Sequence, residues 1–304
     1  MGDNDITIVI PTLNEPHEVL AATVDGLLSS SAKTSIIVVD DGSDEKASLK
    51  KVTMIRNPRR LGSAASRAIG IAHARTPIIL TTDAHVRFTT RGWDDRLRNL
   101  LSDDGKRIVC PTCIPVGETG FRGKLYGGDV TVASTGSGKP AVFLPVWRTS
   151  PSSDGTVGCV MGGAYAFAAE WYRKIGGYRG IKGWCPTELV AISLKTRMCG
   201  GTCFVDQAIE MEHRFREKAP FDVDPILTTY NKVRLAMTIL PLRESTAVPT
   251  LMFMEPGVRE AMKMILDDAR DIHSDKLEFE RAVGIDLQVA IGRAGLGVSL
   301  PGMA

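Results

Sequence analysis

Asp83 and His85 stand two residues apart just after the apolar run Pro77-Ile78-Ile79-Leu80. An extended chain points alternate side chains the same way, so a carboxylate oxygen and an imidazole nitrogen at that spacing can share one divalent ion. Such an ion can neutralise a pyrophosphate leaving group while the group it carries is transferred. A lone Asp-x-His triplet is usually an ordinary strand-end or surface sequence, so its weight depends on its surroundings. Asp40-Asp41-Gly42-Ser43 closes a second apolar run in the same manner, and Arg56, Arg59, Arg60, Arg67 and Arg75 cluster between the two. Without further context that cluster reads as solvated helix surface.

The elements that must position these groups show as alternating patterns. Residues 6–10, 35–40, 53–56 and 77–82 are Ile- and Val-rich runs of the kind that build a parallel sheet buried on both faces. Val19, Leu20, Val24, Leu27 and Leu28 mark one face of a helix opening near Pro16, and the Ala-rich stretch 62–74 reads as another. This alternation predicts a doubly wound α/β half, whose ligands sit beyond the carboxyl ends of the strands. Asp40-Asp41 and Asp83–His85 both fall there.

Downstream, residues 114–158 are rich in Gly, Pro, Ser and Thr with little periodicity, and are expected to form long loops over a site. A strand at 162–167, a helix at 170–175, a loop through Gly183-Trp184-Cys185-Pro186, a helix from 188 to 199 stopped by Gly200-Gly201, and a strand at 202–206 follow. From Asp224 onward the pattern is mostly helical, with Val258, Met262, Ile265, Leu266 and Ala269 at helical spacing. The expected organisation is an α/β domain over 1–240 and a helical packing extension over 241–304.

Composition narrows the class. With 304 residues, 43% hydrophobic and 24% charged, the chain can bury a full core, and general disorder is excluded. A net charge of +2 demands no strongly basic surface. Cys110 and Cys113 form a CxxC-like pair, but the other four cysteines lack zinc-finger spacing, so reduced structural thiols are expected. No apolar stretch reaches the length of a spanning helix, and residues 1–5 are polar and acidic, which predicts a cytoplasmic protein without signal peptide or membrane anchor. No GxGxxG follows the first strand, which disfavours a dinucleotide-dependent dehydrogenase.

Taken in order, Ile8-Val9-Ile10-Pro11-Thr12-Leu13-Asn14-Glu15, Val38-Val39-Asp40-Asp41-Gly42-Ser43, Arg60-Leu61-Gly62 with Arg67, and Asp83-Ala84-His85 with Gly92-Trp93 form a more specific series than any one motif. Met161-Gly162-Gly163, the run from Glu188 to Gly201, and His213-Arg214-Phe215-Arg216 with Pro220-Phe221 extend it. Over about residues 5–240 the chain resembles glycosyltransferases of the GT-A fold, and within them the catalytic domain of the polypeptide N-acetylgalactosaminyltransferases. The resemblance implies a Rossmann-like, mostly parallel central sheet flanked by helices, a UDP-sugar donor, and Mn²⁺ or Mg²⁺ held by Asp83, His85 and His213. Two imidazoles with one carboxylate suit Mn²⁺ better than Mg²⁺.

The same resemblance implies roles for individual residues. Thr12, Asp41, Arg60, Arg67, Asp83 and Gly163 would bind the donor. Asp41 would accept the imide N–H of uracil, Arg60 would contact uridine and phosphate, and Gly163 would let the sugar lie against backbone. Arg67 would support the site from behind or form a structural salt bridge. Trp184, Glu188 and Arg216 are implied for catalysis: Glu188 for sugar or acceptor hydroxyls, and Arg216 for the diphosphate, with Phe221 in the same lid.

One loop departs from the family. Its usual Trp-Gly-Gly-Glu-Asn is here Trp184-Cys185-Pro186-Thr187-Glu188-Leu189, with the tryptophan displaced by one position, both glycines missing and Leu189 for asparagine. The family's lectin domain and membrane anchor are not matched either, which points to a bacterial or viral relative. The expected activity is metal-dependent, retaining transfer of a hexosamine-type sugar, GalNAc or GlcNAc, to a hydroxyl. Protein Ser/Thr is the first choice of acceptor; modified nucleic acid, a glycan or a small molecule are alternatives, as is a non-catalytic sugar-nucleotide-binding protein.

Overall fold

The computed structural model of the chain describes residues 5–31, 33–117, 123–134, 141–216, 221–253 and 255–296. Pro220, part of the motif matched at 213–221, lies outside them. The first half opens with β1 (Ile6–Thr12), α1 (His17–Ser30), β2 (Thr34–Asp40), β3 (Thr53–Arg56), α2 (Ser63–His73), β4 (Ile78–Thr82), β5 (Val86–Phe88) and α3 (Trp93–Asp103). Every residue of β1 and β4 is buried, as expected for strands covered on both faces. Gly70 lets α2 lie close on the sheet, since a Cβ there would stand 2.4 Å from Val9 Cγ1.

The second half continues with β6 (Arg107–Gly117), β7 (Gly128–Ser134), β8 (Ala141–Trp147), β9 (Thr156–Val157), β10 (Ala164–Ala168), α4 (Ala169–Lys174), α5 (Thr187–Met198) and β11 (Thr202–Phe215). Among the described residues, nine strands form one sheet with the path β3-β2-β1-β4-β10-β6-β11-β5, and β9 pairs with β11. β1, β2, β3, β4, β6 and β11 run one way, whereas β10, β5 and β9 run against them. The sheet is therefore mixed but mostly parallel. Strand order reverses at β1, which has β2 on one side and β4 on the other. A ligand crevice opens at such a switch point, and the segments after β1 and β4 carry Glu15 and Asp83 into it.

Two sequence expectations change. The stretch 114–158 is not all loop: β6 runs to Gly117, and β7 and β8 form a separate antiparallel ribbon that pairs Val130 with Pro145. Its Gly, Ser and Pro content masked the strand pattern, and a proline fits here because a two-stranded ribbon has an unpaired edge. β11 extends past 206 to Phe215, with a shift in its pairing to β6 between Asp206 and Glu210. Asp206, Gln207, Glu210 and Glu212 hide the alternation, and the irregularity re-aims the strand so that His213 reaches the site.

The chain ends in α6 (Pro225–Ile239), α7 (Leu242–Leu251), α8 (Val258–Asp267), α9 (Ala269–Val283) and α10 (Leu287–Arg293). The Asp224 carboxylate caps α6 by accepting from Ile226 N at 2.8 Å, with Pro225 at the first helical position. Asn231 on α6 accepts from Lys182 N at 2.9 Å and donates to Lys182 O at 2.7 Å, fixing the turn ahead of Trp184. Ile265, Ile272 and Phe279 belong to the same apolar core as the sheet. All six cysteines are free and buried, and burial pushes the Cys110 and Cys113 thiols up to about 12. Among the described residues no helix is long and apolar enough to cross a membrane.

Gly62, which precedes α2, takes φ 103° and ψ 165°, a conformation open essentially to glycine alone, and a Cβ there would meet Gly183 O at 2.2 Å. Gly62→Ala should cost about 1–3 kcal/mol from the backbone conformation alone. Urea denaturation reads this directly, and an unshifted midpoint would contradict the close packing of the two loops.

Candidate active site

The loop after β1 is locked before any ligand arrives. Asn14, at φ 53°, takes the left-handed conformation that asparagine tolerates better than most residues. Its amide donates to Asp44 Oδ2 at 3.0 Å, its side-chain oxygen accepts from Asp44 N at 2.9 Å, and its backbone N–H donates to Ser43 Oγ at 2.9 Å. The turns after β1 and β2 thus move as one piece.

Asp83 follows β4, where its backbone N–H donates to Gly163 O at 2.9 Å. His213 comes from β11, and Arg214 N donates to His85 O at 3.1 Å, which fixes the two histidine segments against each other. Asp83, His85 and His213 each offer a ligand atom, all within 4.8 Å of one another. Burial alone would raise the Asp83 pKa, but its hydrogen bond with His213 and the charges of Arg67 and the two histidines outweigh that and hold it at about 2. The carboxylate is therefore charged at neutral pH and can accept a cation without losing a proton. His213 Nε2 lies 3.1 Å from Asp83 Oδ2, while its Nδ1 is buried with no hydrogen-bond partner. One ionised carboxylate and two converging imidazoles, one with an orphaned nitrogen, form a donor set that fits a divalent transition metal.

Behind Asp83 stands Arg67, with a side chain only 5% exposed. Its Nη2 donates to Asp83 Oδ1 at 2.7 Å, its Nη1 to Glu188 Oε1 at 2.5 Å and its Nε to Thr81 Oγ1 at 2.9 Å. Ser63 Oγ also donates to Glu188 Oε1, at 2.7 Å, whereas Glu188 Oε2 is buried without a partner. Burial pushes the Glu188 pKa up, and Arg67 and Ser63 only partly offset this. Glu188 is thus a carboxylate with one oxygen anchored and the other in need of a donor.

The sequence reading gave Glu15 no role. His85 Nδ1 lies 3.2 Å from Glu15 Oε2, and Arg216 forks onto both oxygens, with Nη1 at 3.1 Å from Oε2 and Nη2 bonded to Oε1. Burial would raise the Glu15 pKa, but His85 and Arg216 outweigh it and lower it. A carboxylate on one imidazole nitrogen fixes the tautomer and leaves the other nitrogen free to bind a metal. The only sequence signal was Glu15's place three residues beyond Thr12.

These groups line a cavity of about 380 Å³. Of the expected residues, Thr12, Arg67, Asp83, His85, Trp184, Glu188, His213, Arg216 and Phe221 meet there. Trp184 and Phe221 pack ring to ring at 4.7 Å, joining the altered loop to the lid.

Three of the expected residues, Asp41, Arg60 and Gly163, are not among those lining the cavity. Asp41 is fully buried, and its carboxylate accepts from Asn57 Nδ2 at 2.7 Å, Leu61 N at 2.9 Å, Gly62 N at 2.8 Å and Trp184 Nε1 at 2.7 Å. Each carboxylate oxygen accepts two hydrogen bonds, so Asp41 ties these loops together here. Arg60 is half exposed and pairs with Asp44 at 2.8 Å, outside the cavity. Gly162 lines the cavity; Gly163 lies beneath it, where a Cβ would stand 2.7 Å from His213 Cδ2. The missing side chain at 163 makes room for the His213 ring.

Comparison with known proteins places this geometry. The chain is 25% identical over 237 residues to polypeptide N-acetylgalactosaminyltransferase 4 of Caenorhabditis elegans, covering 73% of this chain and 40% of that protein. It is 28% identical over 243 residues to polypeptide N-acetylgalactosaminyltransferase 11 of Xenopus tropicalis, covering 71% and 39%. It thus spans less than half the length of these relatives. A crystal structure of GalNAc-T7 with UDP, GalNAc and Mn²⁺ superposes with a TM-score of 0.63 at 20% identity, over 88% of this chain and 57% of that one, a likeness of fold. Strands β2 to β6 and the loops after β1, β2 and β4 fall within residues 7–161, half of the chain, which match the family described as Glycosyl transferase family 2, and to that family this protein belongs.

Proposed function

We propose that the protein is a metal-dependent glycosyltransferase that moves a hexosamine-type sugar, GalNAc or GlcNAc, from a UDP-sugar to a hydroxyl, with protein Ser/Thr the preferred acceptor. In this reading residues 1–240 form the catalytic unit and 241–304 a helical extension. The observation that carries it is the convergence of Asp83, His85 and His213 beside the Arg67–Glu188 pair in one cavity. Relatives named for N-acetylgalactosamine transfer, and a fold shared with an enzyme crystallised with UDP and Mn²⁺, support the choice of donor and metal.

Asp83, His85 and His213 would hold Mn²⁺, which when bound supplies positive charge to the leaving diphosphate. Arg216, now forked over Glu15, is the cation best placed to exchange that carboxylate for diphosphate oxygens. Glu188 Oε2, unpartnered, would accept a hydroxyl of the sugar or the acceptor. In a retaining transfer the bond from the anomeric carbon to the diphosphate breaks, the acceptor oxygen bonds to the same face, and the acceptor proton passes to a diphosphate oxygen. A second reading has its own observation: the unpartnered Oε2 and raised pKa of Glu188 suit a general base, which would serve an inverting transfer.

Incubation with Mn²⁺ and a panel of UDP-sugars should release UDP in the presence of a hydroxyl acceptor. His213→Ala should abolish most of that release and weaken UDP binding only when Mn²⁺ is present; calorimetry showing the same Mn²⁺-dependent affinity in the variant would remove His213 from the metal set. Glu15→Gln keeps the shape but loses the charge on His85 and Arg216, so Mn²⁺ titrated without nucleotide should bind about 10–100-fold more weakly. Equal Mn²⁺ affinity would leave Glu15 a purely structural residue. Proton NMR of the first product should show the α-configuration of the UDP-sugar preserved, whereas a large anomeric coupling would assign Glu188 as the base of an inverting enzyme.

A further inference from the structure

A second cavity, also of about 380 Å³, lies between α4 with the turn after it, α5, α6 and α9, and shares no lining residue with the first. Its wall carries the cations Arg173, Lys174, Arg179, Lys195 and Arg281 and the carboxylates Asp275 and Glu278. Both carboxylates are already engaged. Arg234 Nη2 pairs with Asp275 at 2.5 Å, and Arg179 reaches Asp275 at 3.4 Å and also pairs with Glu278. Among the described residues, Arg173, Lys174, Lys195 and Arg281 form no ion pair with any carboxylate, although Arg281 stands near enough to Glu278 to lower its pKa.

Lys195 distinguishes this wall from an ordinary basic surface. The residue is 4% exposed, and its ammonium, which has three donors, makes one hydrogen bond, to Gly177 O at 2.9 Å. Burial pulls its pKa down to about 8, with Arg179 and Arg234 adding to the pull and Asp275 only partly opposing it. A buried ammonium without a counter-ion is costly, and the cost is relieved when an anion enters beside it. Arg173, Lys174 and Arg281, the other cations without a carboxylate ion pair among the described residues, are exposed around the same opening, Lys174 lying over the Trp171 ring.

We propose that this cavity is an anion-binding site for a phosphate group, carried by a small phosphorylated molecule. Five cations against two carboxylates leave the lining with an excess of positive charge, which favours a multiply charged anion. The volume exceeds that of phosphate alone, and the apolar walls of Ile175, Phe279 and Ala282 give an organic body something to pack against. Lys195 and Glu188 stand on the same helix two turns apart, about 10 Å along its axis. The anion site and the transfer site therefore share one rigid element.

The full chain should be titrated calorimetrically with inorganic phosphate and, separately, with a hexose phosphate, with no divalent ion present so that the metal-assisted donor site is not engaged. Saturable binding is expected, at least tenfold weaker in Lys195→Met and in Arg281→Glu, and tighter for the hexose phosphate. Lys195→Met replaces a buried ammonium by an apolar chain of similar length and should not lower the melting temperature of the free protein. If that variant fails to fold, Arg281→Glu, altered at an exposed position, carries the test alone. Absence of saturable binding by both probes, or binding that the substitutions leave unchanged, overturns the site.

Discussion

Arg67 is the cation on which the arrangement of the site depends. Asp83 and Glu188 come from opposite ends of the fold, one after β4 and the other at the start of α5, and the guanidinium bonds to both. Without it, the buried Glu188 and the partly exposed Asp83 would face each other with no cation between them, and leaving a buried carboxylate such as Glu188 without its partner typically costs about 3–5 kcal/mol. Lysine would be no substitute, since a single ammonium cannot hold Thr81, Asp83 and Glu188 at three fixed angles. The hydrogen bond with His213 and the charge of the same cation together keep Asp83 ionised, and that charge makes the histidine pair beside it useful to a metal.

Much of this was legible in the sequence because it rests on local pattern. The apolar runs gave β1 to β4 within a residue or two, and the family resemblance implied that Asp83, His85 and His213 belong together before their convergence was seen. What stayed hidden depends on partners far along the chain. Asp41 looks like an exposed turn carboxylate until Trp184, more than a hundred residues later, takes its last acceptor position. Glu15 has no role legible in the sequence until His85 and Arg216 converge on it. Gly163 gives no sign in the sequence of the His213 ring that lies beside it.

The ribbon and the long β11 were hidden for a different reason. Polar side chains on one stretch and Gly, Ser and Pro on the other erase the alternation by which strands are recognised, while the backbone pairing that makes them strands leaves no mark on side-chain type. The helical tail showed the reverse: its periodicity was plain, but the chain alone could not reveal that Asn231 clamps the turn before Trp184 or that Asp268 holds both Lys182 and Tyr230.

The contact between Gly62 and Gly183 bears on how such a protein could be diversified. Two backbones that touch without side chains between them behave as a lock and its key, so the segment around 59–62 and the segment around 183–186 cannot be exchanged one at a time. A loop transplanted from a relative into 184–189 to alter sugar choice would arrive without its counterpart. Modularity in this scaffold is pairwise, and drift at one segment is confined to shapes that the other already accommodates.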